Sequence, residues 1–133
     1  MPSISEDQRN AFDRTCGIEL VELSDERVCG RVQVRDRHKQ PAGLVHGGVY
    51  ATIAESLAVA GTARAVSADG RAAIVLSTQT SFMRPITHGR IDAGARPRHR
   101  GRSTWVWEVE IADAEGRLCV LSRVTISVVP SSR

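Results

Sequence analysis

One segment of this chain reads as a long helix, and nearly everything around it reads as strand. Residues 48–66 contain no proline and are rich in alanine, with Val49, Ile53, Leu57 and Ala60 spaced to share one helical face. Two strand-like runs precede it, 17–23 and 27–34, separated by Ser24-Asp25-Glu26. In the second run Val28, Val32 and Val34 alternate with Arg27, Arg31, Gln33 and Arg35, the period of a half-buried strand. Four more runs follow, at 72–83, 89–98, 104–112 and 117–129. In the last of them Leu118, Val120, Ser122, Val124, Ile126 and Val128 share a face, and Asp113-Ala114-Glu115-Gly116 supplies a hairpin turn before it. A single helix must then cover the apolar face of a mainly antiparallel sheet, which is an α+β layout. A doubly wound nucleotide-binding fold would need several crossover helices and a glycine-rich turn after the first strand, and the sequence has neither.

A chain of 133 residues is long enough for one core and too short for two, so a single domain spanning 1–133 is expected. Its N-terminal segment, 1–16, should be helical, with Ser5 as N-cap and a helix over 5–15 ending before Gly17. Glu6, Asp7, Arg9 and Asp13 interrupt any apolar run there, so neither a signal peptide nor a membrane span is expected, and the cytoplasm is the expected compartment. A formal charge of +3 is too mild and too dispersed for a nucleic-acid surface and fits an anionic small molecule better. Cys16, Cys29 and Cys119 lie far apart, outside any C-x-x-C or Cys/His cluster, so reduced thiols and no metal site are expected. Trp105 and Trp107 alternate with acids and should face the core or a subunit interface.

Chemistry concentrates at the mouth of the long helix. The loop Gln40-Pro41-Ala42-Gly43-Leu44-Val45 leads into His46-Gly47-Gly48, where unpaired amides and the positive end of the helix dipole can face a developing oxyanion. Glu55 stands seven residues after Gly48, about two turns on at roughly 3.6 residues each, and so projects from much the same side. It is the one charged side chain between His46 and Arg64, and a carboxylate in so apolar a helix costs free energy unless function retains it. Amide donors and a carboxylate are what thioester hydrolysis requires: the first polarise the carbonyl, the second attacks it or activates water. The run from Arg96 to Thr104 holds four arginines, His99, Ser103 and Thr104, a composition suited to phosphates. Ser56 lacks a G-x-S-x-G elbow, which disfavours a serine nucleophile.

These residues resemble a known family. Gln40-Pro41-x-Gly43-Leu44-x-His46-Gly47-Gly48 followed by Ala54-Glu55-Ser56, together with Gly101-Arg102-Ser103-Thr104 and Asp113-x-x-Gly116-Arg117-Leu118-Cys119, is similar to the hotdog-fold thioesterases that act on 4-hydroxybenzoyl-CoA and 1,4-dihydroxy-2-naphthoyl-CoA. The likeness runs from about Gly17 to Val129. It implies a six-stranded sheet wrapped around the long helix, and a homodimer with active sites between subunits, often doubled to a homotetramer. It also implies that the Gly47 amide polarises the thioester carbonyl, that Gln40 and His46 position it, and that Glu55 of the other subunit is nucleophile or general base. Arg84, His99, Arg100, Gly101, Arg102, Ser103 and Thr104 would hold the nucleotide end of coenzyme A, which enters as part of the substrate and not as a cofactor. Val59, Thr62, Phe82 and Met83 would line the acyl pocket. One departure stands out: Val59 occupies the position where such relatives place a water-holding serine or threonine, leaving Thr52 or Thr62 for that task. Two alternatives remain open at this level, a non-catalytic acyl-CoA sensor and a hotdog hydratase.

Overall fold

The computed structural model describes residues 11–131. In chain order it contains helix α1 (Ala11–Cys16), strands β1 (Glu19–Leu23) and β2 (Val28–Gln33), the long helix α2 (Gly47–Val66), and strands β3 (Arg71–Phe82), β4 (Arg90–Arg100), β5 (Thr104–Ala112) and β6 (Leu118–Pro130). The six strands form one antiparallel sheet in the order β1-β2-β4-β5-β6-β3. The sheet curls around α2, which packs against all six of its strands. This is the hotdog architecture that the sequence resemblance implies. The described part of the first helix runs Ala11–Cys16, and the remainder of the expected 5–15 helix, with its cap at Ser5, lies outside the described residues. No helix among these residues is long and apolar enough to cross a membrane.

The buried stripe of α2 is Tyr50, Ile53, Ala54, Leu57, Ala58, Gly61, Thr62 and Val66. It is rotated from the expected one: Val49 and Ala60 are only half-buried, because the curled sheet meets the helix along its 50/54/57/61 ridge. The expected face of β6 also holds with one exception. Leu118 is exposed while both Cys119 and Val120 are buried, because a bulge sets two β6 residues against one β5 residue at this point (Ile111 pairs with Val120, Ala112 with Leu118) and reverses the alternation.

Trp105 and Trp107 both face the core. The Trp107 indole N–H donates to the Thr62 hydroxyl at 2.8 Å, and that hydroxyl donates to the Ala58 carbonyl at 2.9 Å. Gly61 makes this packing possible, since a Cβ there would stand 2.3 Å from Trp107 and 2.9 Å from Val28. Alanine in place of glycine normally adds about 1 kcal/mol within a helix. Overpacking a core costs about 1–3 kcal/mol, and Trp107 cannot step aside without losing its hydrogen bond. With a Cβ this close to Trp107 the steric cost wins: Gly61→Ala should lower stability by up to about 2 kcal/mol, read as a lower urea midpoint with unchanged m.

Candidate active site

The mouth of α2 is set by a buried histidine. His38 accepts the Arg35 amide on Nδ1 at 2.8 Å and donates from Nε2 to the Cys16 carbonyl at 2.8 Å, so both ring nitrogens are used. Its own carbonyl accepts the His46 amide at 2.8 Å. Between these anchors the chain turns tightly, with the Gln40 amide donating to Leu44 at 2.8 Å and the Gly43 amide to Gln40 at 2.9 Å. Gln40 thus sits on a closed, tethered turn. His46 is the helix cap, with extended backbone (φ −65°, ψ 137°), and its Nδ1 accepts the Gly48 amide at 2.8 Å. The His46 carbonyl takes the Val49 amide at 2.9 Å. Of the amides at this end, the Gly47 N–H finds no acceptor among the described residues. A free donor at the positive end of a 20-residue helix is a ready site for negative charge on oxygen.

That amide opens onto a cavity of about 430 Å³, lined in part by Gln40, Tyr50, Phe82, Met83 and Arg84. The Phe82 ring lies over the glycine, 3.2 Å from where a Cβ would stand, and forms a tilted pair with Tyr50 at 6.0 Å. Burial pushes the Tyr50 phenol up, partly offset by the Ile86 backbone, and its hydroxyl makes no full hydrogen bond among the described residues. Sequence reading passed over Tyr50, although its spacing of three from Gly47 places it on the same helical side.

Glu55 opens onto a second cavity, of about 630 Å³, with Thr52, Val59, Ala60, Phe12 and Asp13 among its walls. Its half-buried carboxylate has no hydrogen bond or ion pair among the described residues. Beside it the Ser56 hydroxyl donates to Asp13 at 2.6 Å. Thr52, which lines the same cavity, donates to the Gly48 carbonyl at 2.8 Å and so keeps its oxygen lone pairs free to accept. Phe12 and Asp13 were not foreseen: Asp13 lies 43 residues before Ser56, the α2 residue it bonds, and no local pattern signals the encounter.

Several expected groupings come apart within one protomer. Gly47 and Glu55 sit on one helix, but eight residues of rise separate them by about 12 Å along the axis, and they line different cavities. Thr62 does not belong to an acyl pocket: it is fully buried and its hydroxyl is committed to Trp107 and Ala58. Val59 falls beside Glu55, whereas Phe82 and Met83 fall beside Gly47. Arg84 also lies at the Gly47 end. The segment from His99 to Thr104 instead forms the β4–β5 turn at the opposite end, where the Arg102 carbonyl accepts from Arg71 at 2.7 Å and the Ser103 carbonyl from Val128 at 2.9 Å. Gly101 is required there, since a Cβ would stand 2.7 Å from both His99 and the Thr104 carbonyl. His99, Arg102 and Ser103 are exposed, while Arg100 reaches the Asp25 carbonyl and lies 5.6 Å over Trp105.

Burial pushes the thiols of Cys16, Cys29 and Cys119 up, away from the reactive thiolate. Among the described residues no three His, Cys, Asp or Glu side chains cluster as metal ligands would.

Known proteins match this arrangement. Residues 42–120 fit the family model of the thioesterase superfamily. The chain is 33% identical over 117 residues to a 1,4-dihydroxy-2-naphthoyl-CoA hydrolase of Listeria monocytogenes, covering 88% of this chain and 94% of that one. It is 34% identical over 113 residues to the proofreading thioesterase EntH of Cronobacter turicensis, with 84% and 81% covered. A crystal structure of a mutant thioesterase from Pseudomonas aeruginosa superposes with a TM-score of 0.88 at 31% identity, over 93% of this chain and 89% of that one. With the fold, the helix mouth and the unencumbered carboxylate in place, these matches show that the chain belongs to the thioesterase superfamily and is a thioester hydrolase.

Proposed function

We propose that this protein hydrolyses an aromatic or medium-chain acyl-CoA in a site completed by two copies of the chain. The Gly47 amide of one protomer polarises the thioester carbonyl, with Gln40 and His46 orienting it, and Glu55 of the other attacks that carbonyl or activates a water. The observation that carries this reading is the separation of the two groups. At about 12 Å along one helix they cannot reach a single carbonyl, whose attack needs reacting atoms about 3–3.5 Å apart. Each nevertheless has its own cavity.

The sheet offers a place for the second copy. β3 is an edge strand of 12 residues, paired with β6 alone, and it leaves Ile74 and Leu76 more than half exposed. A long apolar edge of this kind invites a further strand, and antiparallel pairing of two β3 strands would turn one α2 against the other. By the same resemblance, two such dimers would pair into a homotetramer. With Val59 beside the carboxylate, Thr52 is the hydroxyl available to accept a hydrogen bond from the hydrolytic water. Arg84 at the Gly47 end of one protomer and the turn from His99 to Thr104 of another copy, which lie at opposite ends within a single protomer, would bind the phosphates of coenzyme A.

A panel of benzoyl-, hydroxybenzoyl-, hydroxynaphthoyl- and C4–C12 acyl-CoA thioesters, assayed by release of free thiol, tests the activity. Light scattering on the same sample tests the assembly. Thiol release by a dimer or tetramer is the expected outcome. A strictly monomeric protein at full activity would refute the shared site.

A further inference from the structure

The cavity beside Glu55 is elongated. Its α2 wall follows successive turns of one helix face, from Glu55 through Val59 to Ala63, and so runs about 12 Å from the carboxylate. Val59, Ala60 and Ala63 bring no side-chain hydrogen-bonding group to it. The facing wall belongs to α1, which has no buried residue among those described. The Ser56–Asp13 hydrogen bond of 2.6 Å ties this helix to α2. Phe12, next to that tie, lines the cavity while remaining 61% exposed. A large aromatic ring left this open at the rim of a groove whose distal α2 wall is apolar gains burial when an acyl group fills the groove.

Resting on the reading of Glu55 as the catalytic carboxylate, we infer that α1 determines acyl specificity, Phe12 being the wall against which the distal part of the acyl group packs and the Asp13–Ser56 bond holding that wall in place. Phe12 is a specificity residue, and Asp13 and Ser56 are positioning residues that act through it. The acyl class follows from the lining. An uncharged aryl or medium-chain group fits the stretch beyond Glu55, since neither Phe12, Val59, Ala60 nor Ala63 can pair or solvate a charged tail and the Asp13 carboxylate already accepts from Ser56. The length is bounded at about 12 Å.

Binding of non-hydrolysable thioether analogues tests the inference without requiring turnover. The probes are phenacyl-CoA and 2-oxoalkyl-CoA of increasing chain length, titrated calorimetrically beside coenzyme A itself. Phe12→Ala should weaken phenacyl-CoA and the longer alkyl analogues about tenfold, as expected for losing part of an aromatic contact, and leave coenzyme A within twofold. Ser56→Ala and Asp13→Ala should cause a smaller loss with the same length dependence. Asp13→Asn, which keeps the acceptor oxygen, should restore it. Equal weakening of coenzyme A and its analogues would make α1 merely structural, and an unchanged length profile in Phe12→Ala, or no analogue binding by the wild type, would overturn the inference. Thiol release by the same proteins separates the two readings. Glu55-dependent hydrolysis with no Phe12 effect sinks the specificity wall alone. Length-graded, Phe12-dependent binding without any hydrolysis of the matching thioesters sinks the proposed reaction alone.

Discussion

Glu55→Gln should lower kcat by about 10²–10⁴-fold, the range that a positioned proton-transfer group supplies. The amide keeps the size of the carboxylate but can neither take a proton from water nor attack a thioester. Folding should be untouched, because the half-buried side chain has no hydrogen bond or ion pair among the described residues. Surface changes of this kind stay within about 0.5 kcal/mol. A thiol-release assay read beside a thermal melt gives both quantities. Loss of activity with an unchanged melt assigns the carboxylate to chemistry. Full activity would reduce Glu55 to a solvated acid on a helix flank.

The second large effect concerns an atom that no side-chain replacement can reach. Gly47 opens α2, and the first helical position is where proline is best tolerated, since its missing N–H has no intrahelical partner. His46 before it already has φ −65° and ψ 137°, the extended backbone that a following proline demands. Gly47→Pro should therefore preserve the helix and delete the proposed oxyanion donor. Removing one such donor costs about 10²–10³-fold in kcat. Added bulk is the confounding factor, because the Phe82 ring lies 3.2 Å from the new Cβ position. Gly47→Ala isolates it: the alanine keeps the amide and presses on the same exposed, movable ring, so it should lose far less than the proline variant. Equal losses in the two variants would trace the effect to Phe82 and clear the amide of any role.

Some of this site was legible in residue order and some was not. The cap at His46, the glycines after it and the isolated acid at position 55 are local features, and the helix that carries them forms where the proline-free run predicts, within one residue at its start. The Asp113–Gly116 hairpin is equally local: Asp113 accepts the amides of Glu115 and Arg117, each at 3.0 Å, and the Arg117 guanidinium at 2.8 Å. Thr62, which the resemblance places in the acyl pocket, sits in the core because its partner Trp107 arrives from a strand 45 residues away. Phe12 and Asp13 went unseen for the same reason. The bulge at Cys119 could not be read from β6 alone, since a bulge is a mismatch between two strands.

Residue order by itself determined the elements, the α+β class and the two chemical groups of the long helix. Helical and strand periods depend on neighbours within a few positions, and so do caps and turns. Tertiary structure alone decided that α1 forms a wall of the Glu55 cavity, that Phe82 lies over Gly47, that Thr62 belongs to the core, and that Gly47 and Glu55 line separate cavities. Those outcomes depend on which way the sheet curls and how far α2 is rotated within it, and packing across the whole chain sets both.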